Sequence, residues 1–511
     1  MANAPDERVN VFPPNAEIEA TASMVLSGGD RYVTIVQSLA FLFACVAILG
    51  IGRRLGLSRS AGTFGALAFA TFTVVALQAP TALNDLVVAS LLIVCAYFAM
   101  GSTRTELVLA ALALALAVGT KGTAAFALPG LALFALSSQP RRRWVALAAA
   151  GAAGLVAGSF WFVVNVVHTG EPDGGVVIDR GGAGVLERIR LSVVDLLELS
   201  DGEAHGLLLS PLWGLGVFVL FAALAILLAI RRRFTASVVA LVVGACAFFA
   251  IPTLTMWARI AGRAFGHVRE AAGLDGAPSG PRLPDGFYES PMHSSYGLAF
   301  VVLFLGAGVL VVADVARRRL PLAAAFALAA VPLTLLVTAL VLAYDPQRMR
   351  YVTFAVALAA AVFGVALRVR ILAWASVVLA AVTLVVSIGY FVPRPGGISV
   401  LPGNRTTDRT ARWFVQAGGG SGDAEAFRFM AQEIPGDATL ALAVERNTYL
   451  YPAWDAGLRR TVLFVDEKGN IPESADWLVV GPGKTVDTER LESESWQLAL
   501  ASRGGWRLYG R

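Results

Sequence analysis

Apolar residues gather into twelve runs along this chain, at 32–52, 61–79, 84–100, 106–119, 122–136, 144–167, 206–230, 235–256, 294–316, 320–344, 351–368 and 371–392. Most approach the roughly 20 residues that carry a helix across hydrocarbon. The pattern predicts an all-α polytopic membrane protein of about twelve transmembrane helices. The polar stretches between the runs differ in a regular way. Those after the odd-numbered runs carry Arg53, Arg54 and Arg59; Arg104; Arg141 to Arg143; Arg231 to Arg233; Arg317 to Arg319; and Arg368 with Arg370. Basic loops stay in the cytoplasm, so the alternate loops, the N-terminal tail and everything after Val392 are expected on the outer side.

The text changes after Val392. Pro393, Pro395, Gly396, Gly397, Pro402 and Gly403 make a linker, and Gly418, Gly419, Gly420 and Gly422 make a second break. Beyond it a soluble pattern predicts a helix at Ala424–Glu433 and strands at Thr439–Val444, Thr461–Val465 and Trp477–Val480. Alternating helix and strand signals point to a small C-terminal extracytoplasmic α/β domain. The expected organisation is a tail over 1–31, a transmembrane domain over 32–392, a linker over 393–420 and the α/β domain over 421–511. That last domain shows neither a Gly-rich phosphate loop nor a nucleophile elbow, so a cap or docking role competes with a catalytic one.

Composition sharpens this reading. Hydrophobic residues make up 57% of the chain and charged ones 15%, which excludes an ordinary soluble protein. A net charge of +5 would suit nucleic acid, but the arginines sit at membrane edges, where topology and anionic lipid account for them. No nucleic-acid partner is expected. Cys45, Cys95 and Cys246 all fall inside apolar runs and read as small hydrophobes, without a disulfide framework. No cleavable signal peptide is visible.

Two outer loops are long. Val185–Leu199 sets Leu186, Ile189, Val193, Leu196 and Leu197 against Glu187, Arg190 and Glu198, the spacing of a helix lying among lipid headgroups. In 257–293, Arg259, Arg263 and His267 recur every four residues. An interfacial anchor explains both segments. A basic stripe that receives a lipid-linked phosphate is the competing explanation for the second.

Ionisable side chains inside a membrane are costly, so their positions carry information. The middle of every run lacks them. Polar groups collect instead at the outer ends: Gln37, Gln78, Asn84, Asp85, Lys121, Asn165, His168, His205 and His293. Secondary transporters place such groups near the midplane, so chemistry at the outer membrane boundary fits better. Asp85, where one run gives way to the next, is either a helix N-cap or a carboxylate for an acceptor hydroxyl or a divalent cation. Lys121, in Thr120-Lys121-Gly122-Thr123, either snorkels to the headgroups or pairs with a phosphate. Arg348 and Arg350 lie on the side where arginine is least expected. Pairing with Asp345 and binding of phosphate, whose geometry arginine matches, both explain them.

These residues resemble a GT-C-type integral membrane glycosyltransferase, of the bacterial branch related to protein mannosyltransferases and lipid A aminoarabinose transferases. The resemblance covers most of residues 10–511. It rests on Phe12-Pro13-Pro14-Asn15 leading into Ser27-Gly28-Gly29-Asp30, on Gly52-Arg53-Arg54-Leu55-Gly56, on Gln78–Asp85 and on Thr120–Thr123. It also rests on Glu289-Ser290-Pro291-Met292-His293-Ser294-Ser295-Tyr296-Gly297 and on Arg348–Tyr351.

The resemblance implies a polyprenyl-phosphate-linked sugar as donor, membrane lipid as surroundings and a glycan, lipid or protein as acceptor. It places the active site at the outer face of the bacterial cytoplasmic membrane. Asp85 matches the family's second acidic position. The chain begins within what corresponds to the first outer loop, so the first helix and the usual first-loop acid are expected to be missing. Glu17 and Glu19 remain there but do not match the motif. A truncated or mis-started chain, inactive as written, is the expectation.

A phosphate leaving group needs positive charge, and an acceptor hydroxyl needs a carboxylate. Lys121, Arg348, Arg350 and Arg263 are the candidates for the first, Asp85 and Glu289 for the second. Gln78, Asn84, His293 and Tyr351 are candidates for holding substrate, and Asp85 for a divalent cation. A transporter or flippase of a lipid-linked glycan and a non-catalytic membrane scaffold are the competing functions.

Overall fold

The computed structural model describes residues 11–28, 32–174, 184–186, 188–189, 192, 296–342, 346–389, 421–445, 453–454, 459–465 and 469–511. The chain divides into two compact units, each discontinuous in sequence. One joins Thr34–Phe160 to Ile178–Tyr390, and the other joins Met1–Val33, Trp161–Val177 and Phe391–Arg511.

The first unit is helical, and its helices are apolar on more than one side. In Ile35–Arg54, the residues Gln37, Ala40, Ala44, Ala47, Ile48 and Ile51 recur every three or four positions and face the core. Leu39, Leu42, Phe43 and Val46 on the other side are exposed. A helix bathed in water would carry polar groups there; an apolar outer face suits lipid. Among the described residues three helices are long and apolar enough to cross a membrane: Ile35–Arg54, Ala299–Ala316 and Leu322–Val341. Asp85–Ala99, Gly122–Ser138 and Arg370–Ala381 are shorter apolar helices. The runs at 206–230 and 235–256, and the long loop at 257–293, lie outside the described residues, as does most of Val185–Leu199.

Several runs that read as continuous are broken. The run at 61–79 becomes Arg59–Thr71 and Thr73–Gln78, parted by Phe72 in extended conformation. The ring of Phe72 is fully buried, edge-on to Phe69, Tyr296, Phe300 and Phe363. The run at 122–136 starts as a 3-10 helix, Gly122–Ala127, before the α-helix Leu128–Ser138. The run at 351–368 is part of Pro346–Val352, then Thr353–Ala360, then Phe363–Arg368; the first and last are 3-10 helices. Every residue of Thr353–Ala360 is buried.

Small residues let the helices approach closely. A Cβ on Gly154 or Gly158 would lie 2.7 Å from the carbonyl oxygen of Ala111 or Ala115. These glycines, four residues apart in Trp144–Gly158, thus seat that helix on Arg104–Thr120. On the arginine-rich side, Arg54 stacks over Tyr97 at 3.8 Å and meets Glu106 Oε1 at 2.6 Å. Glu106 also completes a capping box with Thr103. Asp314 pairs there with Arg368.

The second unit contains the helix Asn15–Ser27, which the sequence pattern did not mark, and a five-stranded sheet. Trp161 Nε1 donates to Asn15 Oδ1 at 2.9 Å, and Asn165 Nδ2 donates to the Val11 carbonyl at 2.8 Å. The strands are β1 (Thr439–Ala443), β2 (Thr461–Phe464), β3 (Trp477–Val480), β4 (Gln497–Ala501) and β5 (Arg507–Gly510), in the order β2-β1-β3-β5-β4. β1 runs parallel to β2 and β3; β5 is antiparallel to β3 and β4. The period of two sorts residues between the faces. Leu440, Leu442, Val479 and Leu508 pack with Phe427 and Met430 of the helix Ser421–Gln432. Ala441, Leu478, Val480 and Tyr509 pack with Leu491 and Trp496.

Candidate functional site

The site forms where Asp85–Ala99 begins. Gln37 and Ser38, at the start of Ile35–Arg54, hold the connection leading into it. Gln37 Nε2 donates to the Gln78 carbonyl at 2.7 Å and to Thr81 Oγ1 at 2.8 Å, and Ser38 Oγ donates to the Ala79 carbonyl at 2.9 Å. Gln78 is fully buried and belongs to this scaffold. The N-cap of the following helix is Asn84, and its side chain makes no capping bond. Asp85 sits one residue further on, in the first turn, where its charge meets the positive end of the helix dipole.

Two cations meet that carboxylate. Lys121 Nζ lies 2.7 Å from Asp85 Oδ1, and Arg350 Nη1 lies 3.6 Å from Asp85 Oδ2. Lys121 Nζ also donates to Asn84 Oδ1 at 2.9 Å. Side-chain exposure is 3% for Asp85, 17% for Lys121 and 11% for Arg350. Lys121 therefore turns inward and does not snorkel. It can do so because its residue is extended, between the end of Arg104–Thr120 and the 3-10 helix Gly122–Ala127.

Tyr351 closes one side, its ring centre 5.4 Å from Lys121 Nζ and 5.1 Å from the Arg350 guanidinium. Arg350 Nη2 donates to the Tyr351 hydroxyl at 3.1 Å. Five residues singled out in the sequence, Asn84, Asp85, Lys121, Arg350 and Tyr351, thus form one cluster.

Arg348 takes a different course. It is fully buried, and its Nη2 donates to the Arg188 carbonyl at 3.2 Å. Arg188 in turn donates to the Leu342 carbonyl at 2.9 Å. In a 3-10 helix, residues two apart point to different sides, which explains why Arg348 and Arg350 have separate partners. Arg263, Glu289 and His293 lie outside the described residues.

A divalent cation at Asp85 would have to compete with both of its ion pairs. Among the described residues no group of three or more His, Cys, Asp or Glu side chains could hold a metal ion.

Sequence reasoning missed two hydroxyls. Tyr296 OH donates to the Met349 carbonyl at 2.7 Å, and Thr353 Oγ1 donates to the Arg350 carbonyl at 2.7 Å. Tyr296 was marked only by its place in the Glu289–Gly297 motif and at the head of the run beginning near 294.

Comparison with known proteins agrees with the sequence motifs. Residues 13–168 match the family described as dolichyl-phosphate-mannose-protein mannosyltransferase. The matched stretch contains Asp85 and Lys121 and ends before Arg350. It bears out the resemblance to GT-C-type membrane glycosyltransferases. Among solved structures, ArnT from Cupriavidus metallidurans in the apo state is 17% identical with a TM-score of 0.42, covering 98% of this chain and 87% of that one. The same protein bound to undecaprenyl phosphate is 15% identical, with the same score and coverage. No curated protein matches the chain.

Proposed function

We propose that this protein is a membrane glycosyltransferase that moves a sugar from a polyprenyl-phosphate-linked donor to an acceptor hydroxyl at the outer face of the cytoplasmic membrane. One observation carries the reading: Lys121 and Arg350 converge on the buried carboxylate of Asp85. Both cations point their donors into one place of low exposure, where a cation attracts a phosphate far more strongly than it would in water.

The chemistry uses that charge. The acceptor oxygen attacks the anomeric carbon, the bond from that carbon to the phosphate oxygen breaks, and the phosphate departs with one more negative charge than it had in the donor. Lys121 and Arg350 stabilise that developing charge, and Tyr351 lines the same side. Asp85, with its oxygens turned to the two cations, acts as their counter-charge and keeps them placed before donor arrives. Glu289 is then the carboxylate assigned to the acceptor proton. Asn84 fixes the Lys121 ammonium, and Gln78 fixes the entry to the helix. The arginine-bearing loops, read as cytoplasmic, support an outer-face position for the cluster.

The test is transfer itself. Membranes containing the protein, given a radiolabelled polyprenyl-phosphate sugar and cell-envelope acceptors, should release polyprenyl phosphate as label enters product. Lys121→Ala and Arg350→Ala should each abolish the release. Movement of intact donor across the bilayer without cleavage would favour the transporter instead.

A further inference from the structure

The arginines that flank the site are carried on an unusual support. Pro346–Val352 is a 3-10 helix of seven residues, longer than this conformation usually sustains by its own hydrogen bonds. Its geometry therefore depends on outside contacts. Two hydroxyls supply them. Tyr296 OH is 2.7 Å from the Met349 carbonyl oxygen and 3.1 Å from Thr353 Oγ1, and Thr353 Oγ1 is 2.7 Å from the Arg350 carbonyl oxygen. Two hydroxyl protons face three oxygen contacts. The shorter distances assign one proton to each carbonyl, so consecutive peptides on either side of the Arg350 Cα are both pinned.

The pin is rigid because Tyr296 is. Its side chain is completely buried. Its ring meets Phe72 at 6.3 Å and Phe300 at 5.2 Å between centroids. It also stands at the N-cap of Gly297–Ala316, a twenty-residue helix. The hydroxyl is thus held by packing and not by the loop it restrains.

We propose that Tyr296, assisted by Thr353, is a positioning residue: it fixes the backbone at Arg350 so that the guanidinium faces Asp85 and the donor phosphate. This inference rests on the phosphate-binding reading above. Tyr296 touches neither the phosphate nor the sugar; it acts through Arg350.

The test measures binding of undecaprenyl phosphate, without sugar, to the full-length protein in detergent. Four forms are compared: wild type, Tyr296→Phe, Arg350→Gln and the double variant. Tyr296→Phe keeps the ring and should weaken binding about five- to tenfold, the worth of one well-placed hydrogen bond. In the Arg350→Gln background the same change should cost less than about twofold, because coupled residues are not additive. Thr353→Val should weaken binding in the same background-dependent way, and Thr353→Ser should restore it; this pair serves if Tyr296→Phe does not accumulate. Equal losses in both backgrounds, or no loss in wild type while Arg350→Gln binds poorly, would overturn the positioning role and leave the phosphate site standing. If Arg350→Gln binds as tightly as wild type, the phosphate reading falls, and this inference with it.

Discussion

Lys121 and Asp85, 36 residues apart in sequence, meet through a 2.7 Å contact between Nζ and Oδ1 with Arg350 on the carboxylate's other oxygen. Each of the three comes from a different segment of the first unit. The carboxylate is therefore the point at which those segments agree, and its removal has a different consequence from removal of either cation.

That difference gives the first prediction. Asp85→Asn leaves two largely buried cations facing each other, whereas Lys121→Met leaves Asp85 still paired with Arg350. Loss of one partner from a buried ion pair costs about 3–5 kcal/mol, so Asp85→Asn should be the more destabilising in thermal unfolding of the detergent-solubilised protein. The order should reverse for ligand. Undecaprenyl phosphate should raise the unfolding temperature of Asp85→Asn by more than that of wild type, and that of Lys121→Met hardly at all. A larger ligand shift in Lys121→Met than in Asp85→Asn would contradict the counter-charge role.

Packing makes the second. Gly158 seats Trp144–Gly158 against Arg104–Thr120, with the Ala115 carbonyl oxygen 2.7 Å and Val118 Cβ 2.8 Å from where a Cβ would stand. Gly158→Ala forces the helices apart and should destabilise the protein by about 1–3 kcal/mol, the usual cost of overpacking. Gly151→Ala is the control, since a Cβ there meets nothing within 4 Å and alanine favours a helix by about 1 kcal/mol over glycine.

Much of the site was legible because charge is rare in this chain's apolar runs. Asp85, Lys121 and Arg350 stand out at run ends, where each must find a partner or water. The roles of the Tyr296 and Thr353 hydroxyls did not, although Tyr296 belongs to the Glu289–Gly297 motif, since a hydroxyl at the edge of an apolar run is unremarkable until a carbonyl is placed against it. The break at Phe72 left no mark either: neither proline nor glycine adjoins it, and what stops the helix is the aromatic packing around its ring. In the C-terminal region, short apolar runs marked β1, β2 and β3. β4 is mostly exposed along its length, so it lacks the alternation that would have disclosed it.

The C-terminal sheet supplies a third prediction. The short helix Thr488–Ser493 ends with Ser495 at φ 67°, while Trp496 N–H reaches the Leu491 carbonyl at 2.9 Å and Ser495 N–H the Glu492 carbonyl at 3.1 Å. This closing pattern normally places glycine at the left-handed position. Ser495→Gly should relieve about 0.5–1 kcal/mol of backbone strain, net of glycine's greater freedom when unfolded. Slower proteolysis of the region after 421 would show it; faster proteolysis would count against the strain.

Glu494 beside it gives a pH dependence. Its carboxylate accepts from Arg490 Nε at 2.8 Å and lies 3.6 Å from Arg511. The Arg490 hydrogen bond foremost, with attraction from Arg490 and Arg511, holds its pKa below the ordinary 4.5. A carboxyl lowered on folding adds stability above its unfolded pKa and loses it as pH falls through the folded one. Wild type should therefore exceed Glu494→Gln in stability at neutral pH and converge with it in acid, below the folded pKa. Curves that stay parallel throughout would show that the charge contributes nothing.

The last prediction concerns sidedness, on which the functional reading depends. Arg141, Arg142 and Arg143 form one 3-10 turn ahead of Trp144–Gly158, and Arg53 with Arg54 end Ile35–Arg54. Lys121 and Arg350, by contrast, are turned inward onto Asp85 and are not free to mark a side. The charge bias that orients the chain is therefore expected to come from the loop arginines, which predicts those loops in the cytoplasm. A reporter active only outside the cell should work when fused after residue 400 and fail when inserted at 231–233. The reverse pattern would place the Asp85 cluster on the cytoplasmic side and remove the basis for outer-face transfer.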